Sequence, residues 1–318
     1  MRHTPRGPEP YWGRSGGRGG AVWGIAIVVI LVLLAAWVAV PVVQLSRLAH
    51  PPRRVVATTP AAAGLAFATA SFDNVSNTAT LSGWWIPAPG GAGATAILVP
   101  GQGQNRLLGG AGLQMARYLQ GRGWNVLMFD LQGTGQSQVG VALPGPGQVG
   151  DVLGAVRYAR YHIAQAAPIV LVGDGWGGTV ALLAAEQSPD ISGVLADTPF
   201  SSLATELRQN LAAWTHLPAG PFRGLLLRAW PLVTGIHPSA VDPLAGLAQL
   251  GKRPVLFVVG AKDAPAVLRQ DRTLAAADAA SQLWVAPVAG PLQAWRQDHA
   301  AYLQHLGNWL TLAASPSA

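Results

Sequence analysis

The run Val172-Gly173-Asp174-Gly175-Trp176-Gly177-Gly178 has the spacing of G-x-S-x-G, a pattern in which a serine on a sharp strand-to-helix turn attacks a carbonyl carbon. Here the middle position is Gly175. A serine would supply the hydroxyl for covalent acyl transfer; glycine supplies no attacking atom. The neighbouring Asp174 is the obvious substitute, but its register is wrong. Glycines flank position 175 at 173 and 177, whereas Val172 and Trp176 flank position 174. One step along a strand also turns a side chain to the opposite face. Asp174 therefore reads as a polar residue bonding backbone near the turn, with nucleophilic duty as the alternative.

Other polar residues have structural readings too. Ser201 and Ser202 sit between an apolar run and a helical pattern, where serine caps a helix. His299 follows Asp298 where the last helix is expected to begin. His216 and His237 fall in an apolar helical stretch, and His162 and His305 read as helix-surface residues. The chain has no H-x-x-x-H or H-E-x-x-H pair and no cysteine, so neither a catalytic metal, a disulfide nor a cysteine nucleophile is expected. No cofactor is expected either.

The elements that would position these residues follow from hydrophobic periodicity. Apolar runs at 81–86, 96–99, 124–129, 169–172, 193–196, 255–259 and 283–288 suit buried strands. Helical patterns lie between them at about 106–121, 148–165, 177–187, 265–278 and 298–313, so the order is that of an α/β chain with a mostly parallel sheet. Residues 65–72 and 80–86 are joined by Asp73-Asn74-Val75-Ser76-Asn77, which predicts an antiparallel hairpin. Residues 201–245 interrupt the alternation with an apolar helical insertion that has the position and character of a lid.

The net charge of +7 comes largely from the first 54 residues, which hold seven Arg and one Glu. The remainder is close to neutral with its cations scattered, which argues against a nucleic-acid surface. Residues 21–43 carry no charge, are flanked by Arg14, Arg18, Arg47, Arg53 and Arg54, and place Trp23 and Trp37 near their ends. This predicts one transmembrane helix after a basic tail (1–20), followed by a linker (44–64) and a domain (65–318). A cleaved signal peptide is disfavoured by the length of the apolar stretch. The arginine balance leans towards an extracytoplasmic domain.

With turn, strand order and insertion together, the chain resembles the alpha/beta-hydrolase superfamily, in particular bacterial esterase and serine-aminopeptidase-like members with an N-terminal anchor. The resemblance covers about residues 64–314 and is carried by 81–87, 99–105 (Val-Pro-Gly-Gln-Gly-Gln-Asn), 125–137, 197–202, 254–263 and Ala289-Gly290-Pro291. It implies an alpha/beta-hydrolase fold with flanking helices and a helical lid. It also puts the family's nucleophile on Gly175, its acid on Asp263 and its histidine on Pro291, so that the acid alone is retained. The backbone N–H groups of Gln102 and Trp176 would form the oxyanion hole. The expectation is a membrane-anchored, catalytically degenerate relative that keeps a pocket for a small hydrophobic or acyl ligand or for a protein partner. Two alternatives stay open: an active ester or peptide hydrolase with a displaced constellation, such as Asp174 or a lid residue with His299 or His237, and a membrane-tethered scaffold.

Overall fold

The computed structural model describes residues 18–90, 93–164 and 166–315. Residues 1–17, which make up most of the basic tail and include Arg14, lie outside them. The apolar runs form eight strands: β1 (Ala68–Asp73), β2 (Thr80–Ile86), β3 (Thr95–Val99), β4 (Asn125–Phe129), β5 (Ile169–Asp174), β6 (Ile191–Asp197), β7 (Val255–Gly260) and β8 (Ser281–Ala286). They make one sheet in the order β1-β2-β4-β3-β5-β6-β7-β8. The first two strands pair antiparallel, with Phe72 opposite Leu81, and β2 is antiparallel to β4. The Asn74 side chain closes the first turn by accepting from the Thr78 N–H at 2.9 Å. All pairings from β3 to β8 are parallel.

A parallel sheet must be covered on both faces, which is why strands such as β3 and β7 are buried throughout. Ile97, Val99, Leu171 and Phe257 face one core, shared with α3 (Pro146–Arg160) and α4 (Trp176–Gln187). Leu98, Val172, Leu256 and Val258 face the other, covered by α2 (Gly112–Gly121) and by α10 (His299–Ala314). The insertion folds as two helices, α5 (Leu203–Thr215) and α6 (Ala219–Thr234), followed by the short α7 (Pro243–Gly246). Ser202 caps α5 by accepting from the Thr205 N–H at 3.3 Å. After β7 come α8 (Pro265–Ala276) and, beyond β8, the single turn α9 (Ala294–Gln297).

The N-terminal helix α1 (Arg18–Ala49) is longer than the expected span of 21–43. Between Val22 and Val40 its large apolar side chains stand exposed, and the helix is long and apolar enough to cross a membrane. It then runs straight into the domain. Pro41, Leu45 and Ala49, four residues apart, form a buried stripe against the α5–α6 pair. The Ala49 carbonyl accepts from the Ala142 N–H at 2.8 Å. Packing of that stripe explains why residues 44–49, expected as linker, are helix; irregular chain begins only at His50.

A buried ion pair fixes the loops after β3 and β4. Arg106 lies 2.6 Å from Asp130, both almost wholly enclosed, and its guanidinium sits 4.7 Å above the Trp84 ring. Asp130 also accepts the backbone N–H groups of Arg106 and Gln136.

Candidate functional site at the β5–α4 turn

Gly175 forms the turn between β5 and α4 with φ 56° and ψ −118°. Its N–H donates to the Asp197 carbonyl at 2.8 Å and its own carbonyl accepts from Gly178 at 3.0 Å. A residue with a Cβ in such a region carries about 1–3 kcal/mol of strain, which glycine removes. Gly173 and Gly177 are required for a different reason. A Cβ on Gly173 would lie 2.5 Å from the Gly178 backbone, and one on Gly177 would overlap the Val99 and Pro100 carbonyls. The start of α4 is thus pressed against β5 and the end of β3.

A cavity of about 260 Å³ opens beside the turn, lined by Gln102, Gly175, Trp176, Phe200, Glu206, Gln270 and Leu292 among others. Trp176 is the first residue of α4, so its N–H has no intrahelical acceptor. Gln102 is the second residue of a turn closed by the Gln104 N–H on the Gly101 carbonyl at 3.1 Å, which leaves the Gln102 N–H outside that bond. Gly175, Gln102 and Trp176 therefore share one cavity. The Trp176 ring meets Trp214 of α5 edge-on at 5.1 Å, tying the turn to the insertion.

Asp263 follows β7, buried. One carboxylate oxygen accepts the Gly260 N–H at 2.8 Å, and the other has no partner among the described residues. Burial raises its pKa above the usual carboxylate range, a rise the Gly260 bond opposes. The loop holding Pro291 lies against this turn, with the Lys262 N–H donating to the Ala289 carbonyl at 3.0 Å. Pro291 itself lines a second cavity, while the next residue, Leu292, borders both. Leu292 holds an unusual φ of 54°.

The second cavity, about 290 Å³, lies on the α2 and α10 side of the sheet and includes Asp174, Asp197, Gln104, Trp295, Arg296 and Tyr302. Asp174 accepts from the Gln104 side chain at 2.8 Å, so its partner is a side chain and not the backbone expected from sequence. Burial lifts Asp174 to a pKa of about 6. Asp197 is pushed well above its ordinary value, first by burial and then by the charge of Asp174. Both carboxyls hold a proton more readily than a free aspartate does, and each can accept a hydrogen bond from a ligand when ionised.

The family model described as alpha/beta hydrolase fold matches residues 97–239. The Pyrococcus furiosus esterase Pf2001 superposes with a TM-score of 0.68 at 20% identity, covering 84% of this chain and 99% of that one. The alpha/beta hydrolase GrgF from Penicillium sp. sh18 gives 0.62 at 19% identity over 79% and 99%. For the Pyrococcus horikoshii acylaminoacyl peptidase the values are 0.60 at 13% identity over 80% of this chain and 42% of that one. The chain has the alpha/beta-hydrolase fold. No curated protein matches it in sequence.

Within this alpha/beta-hydrolase fold no histidine among the described residues lines either cavity. His299 sits with Nδ1 2.9 Å from the Trp295 carbonyl. His216 ends α5 in a left-handed conformation, and His237 pairs with Ser239 Oγ at 2.7 Å. No group of three potential metal ligands occurs among the described residues. Sequence reasoning missed Leu292, Gln104, Asp197 and the wholly buried Asp271 of α8. Asp271 alone carried a signal, since Val267, Asp271 and Leu274 recur at helical spacing on one face.

Proposed function

We propose that this is a membrane-anchored alpha/beta-hydrolase-fold protein that has lost serine-hydrolase catalysis and uses the cavity at the β5–α4 turn to bind a ligand. The observation that carries the reading is Gly175: the residue at the apex of the turn offers only hydrogen where attack on a carbonyl would begin. Two further features support it. No histidine borders the cavity among the described residues, and the second carboxylate oxygen of Asp263 stands buried and unpartnered beside the loop that carries Pro291. An orphaned acceptor of this kind is what remains when an imidazole N–H is removed from a triad acid.

Donors that need no side chain do not depend on the lost residues. Gln102 and Trp176 line the cavity, and their backbone N–H groups would suit a carbonyl or carboxylate oxygen, with Phe200 and Leu292 offering apolar contact. Anchoring rests on α1, whose exposed apolar length matches a bilayer core. Asp174 does not serve as replacement nucleophile, because its side chain lines the other cavity and is held by Gln104.

In triad enzymes, loss of the nucleophile costs about a million-fold in turnover. The full-length protein in detergent micelles is accordingly expected to give no fluorophosphonate adduct and no saturable hydrolysis of short p-nitrophenyl esters. Saturable, heat-labile turnover would overturn the reading.

A further inference from the structure

The insertion and the anchor are not independent elements. Phe222, at the start of α6, packs against Trp37 of α1 with ring centroids 6.4 Å apart. At the other end of α6, the Ile236 side chain lies against Gly145, close to Ala142, whose N–H is bonded to the Ala49 carbonyl that ends α1. Thus α6 runs alongside the last part of α1 in the same direction, and the α5–α6 connection lies at the level of Trp37.

That level matters. A bilayer core of about 30 Å takes about 20 helical residues, which counted from Val22 end at Pro41. Trp37 is therefore about one turn inside the end of the span, where indole rings favour the boundary between lipid tails and headgroups. Phe222 shares its depth. The connection and the first turn of α6 read Leu217-Pro218-Ala219-Gly220-Pro221-Phe222-Arg223, apolar until an exposed arginine that can reach lipid phosphates.

We propose that the tip of the α5–α6 hairpin, residues 217–223, seats in the lipid surface beside α1. The proposal rests on the anchoring reading above and goes beyond it. It fixes the orientation of the domain against the bilayer, with no free linker between them. It also brings the turn cavity close to lipid, since Trp214, in the last turn of α5 before the tip, touches Trp176 at the cavity wall. The ligand class it favours for that cavity is an acyl compound carried in the bilayer.

The chain contains no cysteine, so single cysteines can be labelled without background. Gly220→Cys is well suited, because a Cβ there meets nothing within 4 Å. An environment-sensitive fluorophore at position 220 of the full chain in nanodiscs should show blue-shifted emission that lipids carrying a spin label near the headgroup quench. The same dye at Tyr161→Cys, 84% exposed at the far end of α3, should behave as in water. Leu31→Cys in the middle of α1 reports the anchor separately. If Leu31 is quenched by labels at the chain ends while Gly220 stays aqueous, the hairpin proposal is overturned and the anchor stands. If Leu31 is itself aqueous, both fall.

Discussion

The side chain of Leu292 occupies the space above Gly175: a Cβ built on Gly175 would lie 3.5 Å from Leu292 Cδ1 and 3.7 Å from Cδ2. These are ordinary contacts, so a small side chain can be accepted sterically, but a hydroxyl beyond that Cβ would face an isobutyl group and not an imidazole. The backbone cost remains. Gly175→Ser should therefore destabilise the domain by about 1–3 kcal/mol. At about 2–4 °C per kcal/mol for a domain of this size, a thermal melt should move down by several degrees. Alone, the substitution should generate no esterase activity, because nothing nearby removes the serine proton.

Much of this was legible in the chain itself. The glycine-bounded apolar runs located the strands along the chain, and the spacing around position 175 marked the turn; the order of strands across the sheet came from the structure. Apolar runs buried on both faces are legible because a parallel sheet leaves little choice of residue. Leu292 was not legible: its role depends on a loop conformation with positive φ, which neither leucine nor its neighbours encode locally. The length of α1 was partly encoded in the spacing of Pro41, Leu45 and Ala49. A proline at the head of that stripe reads as a break until its tertiary partners are known.

The Arg106 and Asp130 pair offers a test of what holds the site's loops. Both partners are buried, and Asp130 gathers two backbone N–H groups besides the guanidinium. Removing one partner leaves an uncompensated buried charge, at a cost of about 3–5 kcal/mol. Asp130→Ala should lower the urea midpoint by a corresponding amount. The paired change Arg106→Met with Asp130→Leu should cost less than Asp130→Ala alone. Equal losses would mean that the ion pair is not what the loops depend on.

Stability should also depend on pH in a definite direction. Asp271 is fully buried, its carboxylate oxygens have no side-chain partner among the described residues, and burial reinforced by Asp197 and Asp263 raises its pKa from 3.8 to about 9 against a small opposing effect of its own backbone N–H. The folded state then holds a proton that the unfolded chain has released between pH 4 and 9. Its contribution to stability is fully present below pH 3.8 and is lost as pH rises through about 9. Asp174, with a folded value of about 6, acts with the same sign over a narrower window. Thermal melts between pH 5 and 9 should show Tm falling as pH rises, and Asp271→Asn should flatten that slope. An unchanged slope would show that the carboxyl is ionised in the fold.

The sharpest prediction concerns restoration. If Asp263 is the remnant of a triad and Gln102 with Trp176 still presents an oxyanion site, three changes should suffice to recover ester hydrolysis: Gly175→Ser, Pro291→His and Leu292→Gly. The first supplies the attacking oxygen, and the second an imidazole within the loop that adjoins Asp263. The third removes the side chain over the turn and suits the left-handed φ of 54° at that position. Turnover of p-nitrophenyl acetate should appear in the triple variant, fall short in the version that retains Leu292, and vanish again when Asp263→Asn is added. In triad enzymes the members act as a unit, so each reversal should remove most of the gain. Activity that survived Asp263→Asn would mean that the orphaned carboxylate never belonged to a triad, and the reading of the turn as an emptied catalytic centre would rest on Gly175 without its acid.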